Sequence, residues 1–371
     1  MPNERPSSLH VDTERYWRGG QQQVLHLLAG LRERGLRAEL VARPGCPLAD
    51  RAADAGIEVH QLALRGEWDV ASAFRIARIL RKGGFDVLHL HTSHAHGLGQ
   101  LASLLCPRVR VVVSRRVDFP IRGTIGRWFK YLRGVDKYAA ISYAVRDALL
   151  DAGIPAERVA QVPSGVDPAR FEDVAPADLK SDCGFPADAR IVGVVGHLVD
   201  AHKGQKDFLV ASAAVAARYP EARFVLVGEG RDRRALEQQA AQVGVADRVS
   251  FTGFRSDVPA VLAALDVFVM PSRYEALGTS AIEAMMAGLP VVGAGVGGLR
   301  EVIDDGVTGL LVAPGEPDAL AQAIGRLLAD QALRHRMGAA GKQRAHEQFS
   351  VKNTIDKTIE VYGALQQDVT R

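Results

Sequence analysis

The sequence predicts an α/β protein built of two doubly wound, parallel-sheet domains in series. Three observations carry that reading. The chain has 371 residues, enough for two domains at ~150 residues each. Short apolar runs alternate with helical patterns along its length, as βα units feeding a parallel sheet do. The alternation lapses in a Pro- and Asp-containing stretch that ends near Phe185 and Pro186, and then restarts.

In the first half, SLHVDT reads as a strand, followed by Gly19 and Gly20 and then a helix over 21–34. AELVARP, IEVHQL, DVLHLH, VRVVVS and KYAAIS read as further strands, and VAQVPSGVDPARF as the exit from the domain. After the restart, IVGVVGHL, RFVLVGEG, RVSFTGF, DVFVMPS, PVVGAG and GLLVAP read as strands covered on both faces. A last helix over 350–367 is placed to pack back across the linker. The expected division is 1–168, a linker over 169–188, a second domain over 189–348, and 349–371 crossing back to the first. Two such domains imply a cleft, with ligands outside the carboxyl ends of the strands.

Composition narrows the class. Hydrophobic residues at 47% and charged residues at 24% are ordinary for a globular chain. A large core needs neither disulfides nor metal to be stable. Cys46, Cys106 and Cys183 are odd in number, widely spaced and match no metal-ligand spacing, which fits a reducing compartment. The start, MPNERPSSLHVDTERYW, has no apolar signal core, and no apolar run is long enough to span a bilayer. The expected location is cytoplasmic, at most peripheral at the inner face of the cytoplasmic membrane.

The net charge of +3 is uneven. Through Pro186 there are 26 basic and 21 acidic residues, and afterwards 20 and 22. Between Arg108 and Arg146 lie ten basic and two acidic residues, a patch suited to phosphates or an anionic membrane. No recognition motif accompanies these cations, so nucleic acid is not an expected partner.

The densest chemistry lies in PSRYEALGTSAIEAMMAGLPVV. Thr279 or Ser280 is a plausible N-cap for a helix over 280–287. Glu275 then sits in the loop before the helix and Glu283 about one turn inside it. The free amides around Leu277, Gly278 and Thr279 suit a diphosphate, and a carboxylate suits sugar or ribose hydroxyls. Taken alone, the pair reads equally well as a solvated loop acid and an ordinary first-turn acid.

Five segments together resemble a retaining family-four glycosyltransferase of GT-B fold, the bacterial glycosyl transferase group 1 type. They are WRGGQQQVLHLLAGLRERG, PSGVDPARF, GHLVDAHKG, the pair LVGEG and FTGF, and the Glu-x7-Glu stretch followed by AGLPVV and GVGGLREVIDDGVTGLLV. Each is weak alone; their order and spacing make the resemblance. It implies two Rossmann-like domains facing a cleft and a UDP- or GDP-linked sugar donor. The acceptor would be a saccharide or a lipid-linked molecule, in cell-envelope or polysaccharide synthesis. No cofactor or metal is implied.

The resemblance also implies roles. Glu283 would bind the donor ribose, and Glu275 the donor sugar ring. The amides at Leu277, Gly278 and Thr279 would hold the sugar and diphosphate. Lys203 would neutralise the diphosphate. Gly19 and Gly20 form the N-terminal loop, where Gly20 lets phosphates approach. Gly228 and Phe254 fall where the base is bound, although plain turn and core roles explain them equally well. Loss of the diphosphate would be stabilised by Lys203, His197 and the helix start, and domain closure would exclude water.

The chain departs from the family pattern in places. His197 stands where Arg is usual, and Ser164 where Asn is common. Arg115 and Arg116 follow the strand VVVS, where many members carry a catalytic histidine.

His89, His91, His94 and His96 crowd HLHTSHAH. They read as structural histidines, with His91 and His94 the candidates for ligand contact on the acceptor side. No Cys or carboxylate cluster accompanies them to favour a metal. GTIGRWFKYLRG reads first as a core-facing helix with a basic edge formed by Arg127, Lys130 and Arg133, and second as a lipid contact.

Other classes remain in view. A sugar-nucleotide epimerase or a non-catalytic sugar-nucleotide sensor could share the layout. A nicotinamide oxidoreductase fits less well, because VGEGRDR only partly matches G-x-G-x-x-G.

Overall fold

The computed structural model describes residues 6–118, 121 and 128–367, without the side chains of residues 128 and 129. It divides into two compact units. Unit 1 takes the chain up to Gly165 and again from Val351, and unit 2 is Val166–Ser350.

Unit 1 holds seven parallel strands: β1 (Ser8–Val11), β2 (Ala38–Ala42), β3 (Val59–Gln61), β4 (Val87–Leu90), β5 (Arg110–Arg115), β6 (Lys137–Ala140) and β7 (Val159–Gln161). Their order is β3-β2-β1-β4-β5-β6-β7. Every residue of β1, β2 and β4 is buried, because helices cover both faces. The sequence VAQ, read as part of the domain exit, is instead the short, half-buried edge strand β7. Its three residues carry no apolar run from which a strand could be read.

Side chains end several helices of this unit. Asp69, Thr92 and Ser142 each accept an amide three residues ahead, at Ser72, Ala95 and Val145. The last helix, Val351–Gln367, belongs to unit 1. It buries Ile355, Val361, Tyr362 and Leu365 against the Val24, Leu27, Leu28 and Leu31 face of helix Gly19–Glu33.

Unit 2 holds six parallel strands: β8 (Arg190–Val195), β9 (Ala222–Val227), β10 (Val249–Gly253), β11 (Val267–Met270), β12 (Val291–Ala294) and β13 (Gly309–Val312). Their order is β10-β9-β8-β11-β12-β13. Its core packs helices Gln205–Arg218 and Pro317–Ala329 on the sheet through Phe208, Phe224, Ile324 and Leu327. Where the chain enters and leaves the unit, Val166 N–H donates to Phe349 O at 2.8 Å.

In each sheet the strand order reverses once, between β1 and β4 and between β8 and β11. Loops leaving the strands on the two sides of such a point diverge and open a crevice at the carboxyl edge. The amphipathic reading of GTIGRWFKYLRG falls largely outside the described residues. The described part is a π-helical turn at Trp128–Leu132 and the bend that follows it at 133–134.

Candidate active site

The crevice of unit 2 is lined by the loops after β8 and β11. After β8 the chain runs through His197 into a short helical turn, Asp200–Lys203, which Gly204 closes in the left-handed region at φ +63°. A Cβ at Gly204 would lie 2.2 Å from Pro271 O, so only glycine allows the two loops this approach. Backbone bonds hold them there: Arg273 N–H and Tyr274 N–H both donate to His202 O, at 2.8 and 3.3 Å. Arg273 also makes a two-pronged contact with Asp207, at 3.0 and 3.2 Å.

This stitching brings together two of the sequence-predicted residues. Lys203 Nζ lies 2.6 Å from Glu275 Oε2. Ser272 Oγ donates to the same carboxylate oxygen at 3.4 Å. Glu275 is largely buried, its side chain 14% exposed.

Gly278 follows at φ +95° and starts helix Thr279–Met286 with no side-chain cap. The expected cap at Thr279 or Ser280 therefore lies one or two residues too late, the cap being Gly278. The turn needs positive φ, which a β-branched residue resists. Leu277 is buried beneath the turn. Glu275 Cγ lies 3.5 Å from where a Cβ on Gly278 would stand, so Lys203, Glu275 and the helix start form one locus.

Glu283 sits one turn inside the helix, its side chain 16% exposed, 3.3 Å from Arg170 Nη1. Burial raises its pKa above the ordinary carboxylate value, and Arg170 draws it back down. Arg170 lies in the turn Pro168–Phe171, where Asp167 accepts Ala169 N–H. Sequence reasoning missed Arg170, although it lies inside the PSGVDPARF segment already singled out.

The remaining predicted residues of unit 2 lie along the same strand edges. His197 is exposed, and its carbonyl accepts Gln205 Nε2 at 2.9 Å. Gly228 follows β9 and donates to Gly253 O at 2.8 Å. Phe254 comes next after β10 and is 74% exposed, so the core reading of that residue is excluded.

In unit 1, Ser8, His10 and Asp12 alternate along one face of β1 and its exit, and His10 pairs in register with His89 on β4. His10 bridges Ser8 Oγ at 3.0 Å and His91 Nε2 at 2.9 Å. His89 bridges Tyr362 OH at 2.6 Å and Ser114 Oγ at 2.8 Å. Burial pushes the His10 pKa down to about 3, helped by the Arg116 charge. It also drives His89 and His91 well below their ordinary value. His96 is likewise buried, at about 3, whereas His94 is exposed at the start of its helix.

At the carboxyl edge of this sheet stand Asp12, His91 and Arg116. Asp12 is buried, accepts Glu14 N–H at 2.8 Å and Gln21 Nε2 at 3.2 Å, and has its pKa raised by burial. Arg116 Nη1 donates to Gly20 O at 3.2 Å, and burial lowers its pKa to about 10. Arg115 turns to Tyr131 OH at 3.1 Å. Among the described residues, a Cβ on Gly19 or Gly20 would meet nothing within 4 Å, so their packing does not demand glycine there.

The nitrogens of His10, His89 and His91 lie close enough to surround a metal ion. Both nitrogens of His10 and of His89 already bond to protein groups, so the cluster is a hydrogen-bonded core rather than an open ligand set.

Comparison with known proteins bears on this arrangement. Residues 177–344 match the family described as glycosyl transferases group 1, and residues 17–170 the glycosyltransferase family 4 model. The 2-deoxystreptamine glucosyltransferase of Streptomyces kanamyceticus is 31% identical over 92% of this chain and 98% of its own. The lipopolysaccharide core biosynthesis glycosyltransferase LpsE of Rhizobium meliloti is 29% identical over 92% and 95%. Among solved structures, HepE of Anabaena in complex with UDP superposes with a TM-score of 0.86 at 23% identity, covering 96% of this chain and all (100%) of HepE. Sucrose-phosphate synthase of Thermosynechococcus elongatus gives 0.77 at 22% identity, over 98% and 100%.

Proposed function

Since this chain belongs to the glycosyl transferases group 1 family and is a nucleotide-sugar glycosyltransferase, we propose that it moves a hexose from a UDP-linked donor to a hydroxyl of a polyhydroxylated acceptor, with retention at the anomeric carbon. The observation that carries the reading is the Lys203–Glu275 pair beside the uncapped start of helix Thr279–Met286. A cation and free helix amides suit a diphosphate, and the adjoining carboxylate suits the hydroxyls of the attached sugar. Glu283 accepts from the ribose hydroxyls. The relatives named for 2-deoxystreptamine and for lipopolysaccharide core support a saccharide or cyclitol acceptor, and the UDP complex of HepE supports a uridine donor. A GDP-linked donor is the alternative base.

The reaction breaks the bond from the anomeric carbon to the diphosphate and forms one to the acceptor oxygen on the same face. The acceptor proton passes to the departing phosphate oxygen, so no separate strong base is required. Lys203, with His197 at the mouth of the crevice, stabilises the charge that grows on that phosphate. In unit 1, Asp12, His91 and Arg116 offer the acceptor an acid, a neutral imidazole and a cation, and His94 is exposed at the start of the helix after β4.

The test is to incubate the chain with UDP-glucose and a panel of saccharide and cyclitol acceptors and to read the products by mass spectrometry and anomeric NMR. An α-linked product from the α-donor supports retention. A β-linked product, or epimerised donor without transfer, overturns the reading.

A further inference from the structure

Most of the described cations between Arg108 and Arg146 bond to other protein groups, while Arg108 and Arg133 are exposed. Arg110 pairs with Asp136, Lys130 with Glu67 and Arg146 with Asp147. Arg115 and Arg116 turn to Tyr131 and Gly20. A different face of unit 1 keeps its charge outward.

Helix Val70–Gly83 buries Ser72, Ala73, Ile76, Ala77 and Leu80. By the 3.6-residue period its opposite stripe faces solvent. That stripe carries Val70, Phe74, Arg75, Arg78 and Lys82, all exposed, and the helix contains no acidic residue. Arg75, Arg78 and Lys82 make no ion pair or hydrogen bond among the described residues. Val70 and Phe74, one turn apart, are 54% and 55% exposed, and Trp68 just before the helix is 72% exposed. Three large apolar side chains within seven residues of an exposed surface mark an interaction site rather than scattered exposure.

We propose that this face docks on an anionic lipid bilayer. Trp68, Val70 and Phe74 enter the headgroup boundary, and Arg75, Arg78 and Lys82 meet the lipid phosphates. An aromatic end joined to a basic stripe free of acids matches the chemistry of a helix lying in the plane of such a surface. A two-fold pairing of this face with itself would set these cations against their own kind, so charge complementarity favours the lipid. The inference does not depend on which donor or acceptor the enzyme uses.

The test is co-sedimentation of the full chain with vesicles of equal parts phosphatidylglycerol and phosphatidylcholine, and with phosphatidylcholine alone. Binding is expected to the first only and to weaken with salt. Each cation near the surface is worth about fivefold, so R75Q/R78Q should cut the partition coefficient roughly 25-fold. W68A/F74A should cut it further at high salt, where the charge contribution is screened. Unchanged melting temperatures establish that both variants fold. Equal binding to the two vesicle types, or no loss in R75Q/R78Q, overturns the proposal. So does a dimer on gel filtration that W68A/F74A abolishes, which would assign the face to another copy of the chain.

Discussion

Lys203 and Glu275, 72 residues apart in sequence, form a 2.6 Å ion pair across the point where the strand order of unit 2 reverses. Neither loop could bring them together alone. Gly204 against Pro271 O and the two amides on His202 O fix their approach. Both groups are held ready where the donor diphosphate and sugar are proposed to sit.

Because the two side chains act as a unit, their removal should be strongly non-additive. Lys203→Ala and Glu275→Ala are each expected to lower kcat/KM by about 100- to 1,000-fold. The double variant should lie within about tenfold of the worse single. Steady-state kinetics in a double-mutant cycle gives the answer. Fully multiplicative losses would mean that the pair does not work as one.

If Glu283 holds the donor ribose as proposed, it sets an acid limit on donor binding. Only its ionised form accepts both ribose hydroxyls, and burial raises its pKa while Arg170 opposes the rise. Affinity should therefore fall as pH drops through a midpoint above the ordinary carboxylate value. Arg170→Gln removes the opposing charge and should move that midpoint further toward neutrality. Glu283→Gln should remove this limb and weaken binding by about 1.5–3 kcal/mol, the worth of a hydrogen bond to a charged group. Donor titrations between pH 5 and 8 measure this. A midpoint unmoved in Arg170→Gln would refute the coupling.

The buried histidines of unit 1 make the fold sensitive to acid. His10 and His96 stay neutral in the folded chain down to about pH 3, but an unfolded histidine takes up a proton near 6.5. The unfolded state binds the extra protons, so stability is intact above about pH 6.5 and is lost as pH falls below it. Each such group removes about 1.4 kcal/mol per pH unit. Melting temperatures recorded from pH 7.5 to 5 should drop steeply below 6.5, and less so in His96→Phe. A flat profile would mean that these groups titrate normally.

Gly20 tests whether the first helix start serves a ligand. A Cβ there would meet nothing within 4 Å among the described residues, so Gly20→Val should leave the melting temperature within a few degrees of wild type. Transfer should nevertheless fall more than tenfold, since the added side chain fills the approach to the helix amides, a loss of about 1.4 kcal/mol or more. Wild-type turnover in the variant would return Gly20 to a plain structural role.

Both sheets were legible in the sequence because strands buried on both faces read as unbroken apolar runs, such as IVGVVG and DVFVM. Strand β7 was not legible, since VAQ is an edge strand with only half-buried side chains. Glu275 and Glu283 stood out through their spacing and Lys203 through the family resemblance, but their partners did not. That Lys203 meets Glu275 and that Glu283 meets Arg170 depends on tertiary contacts spanning 72 and 113 residues. His10 could have been found, because it alternates with Ser8 and Asp12 on a predicted strand. The partner of His89, Tyr362, lies 273 residues away in sequence and carries no local signal.

The central claim is that the β8–β11 crevice binds the sugar nucleotide. Calorimetric titration of UDP-glucose into the wild type, Lys203→Ala and Glu283→Ala tests it most directly. The prediction is saturable binding to the wild type, weakened at least tenfold (about 1.4 kcal/mol) in each variant, with melting temperatures unchanged. Equal affinity in all three proteins would contradict it.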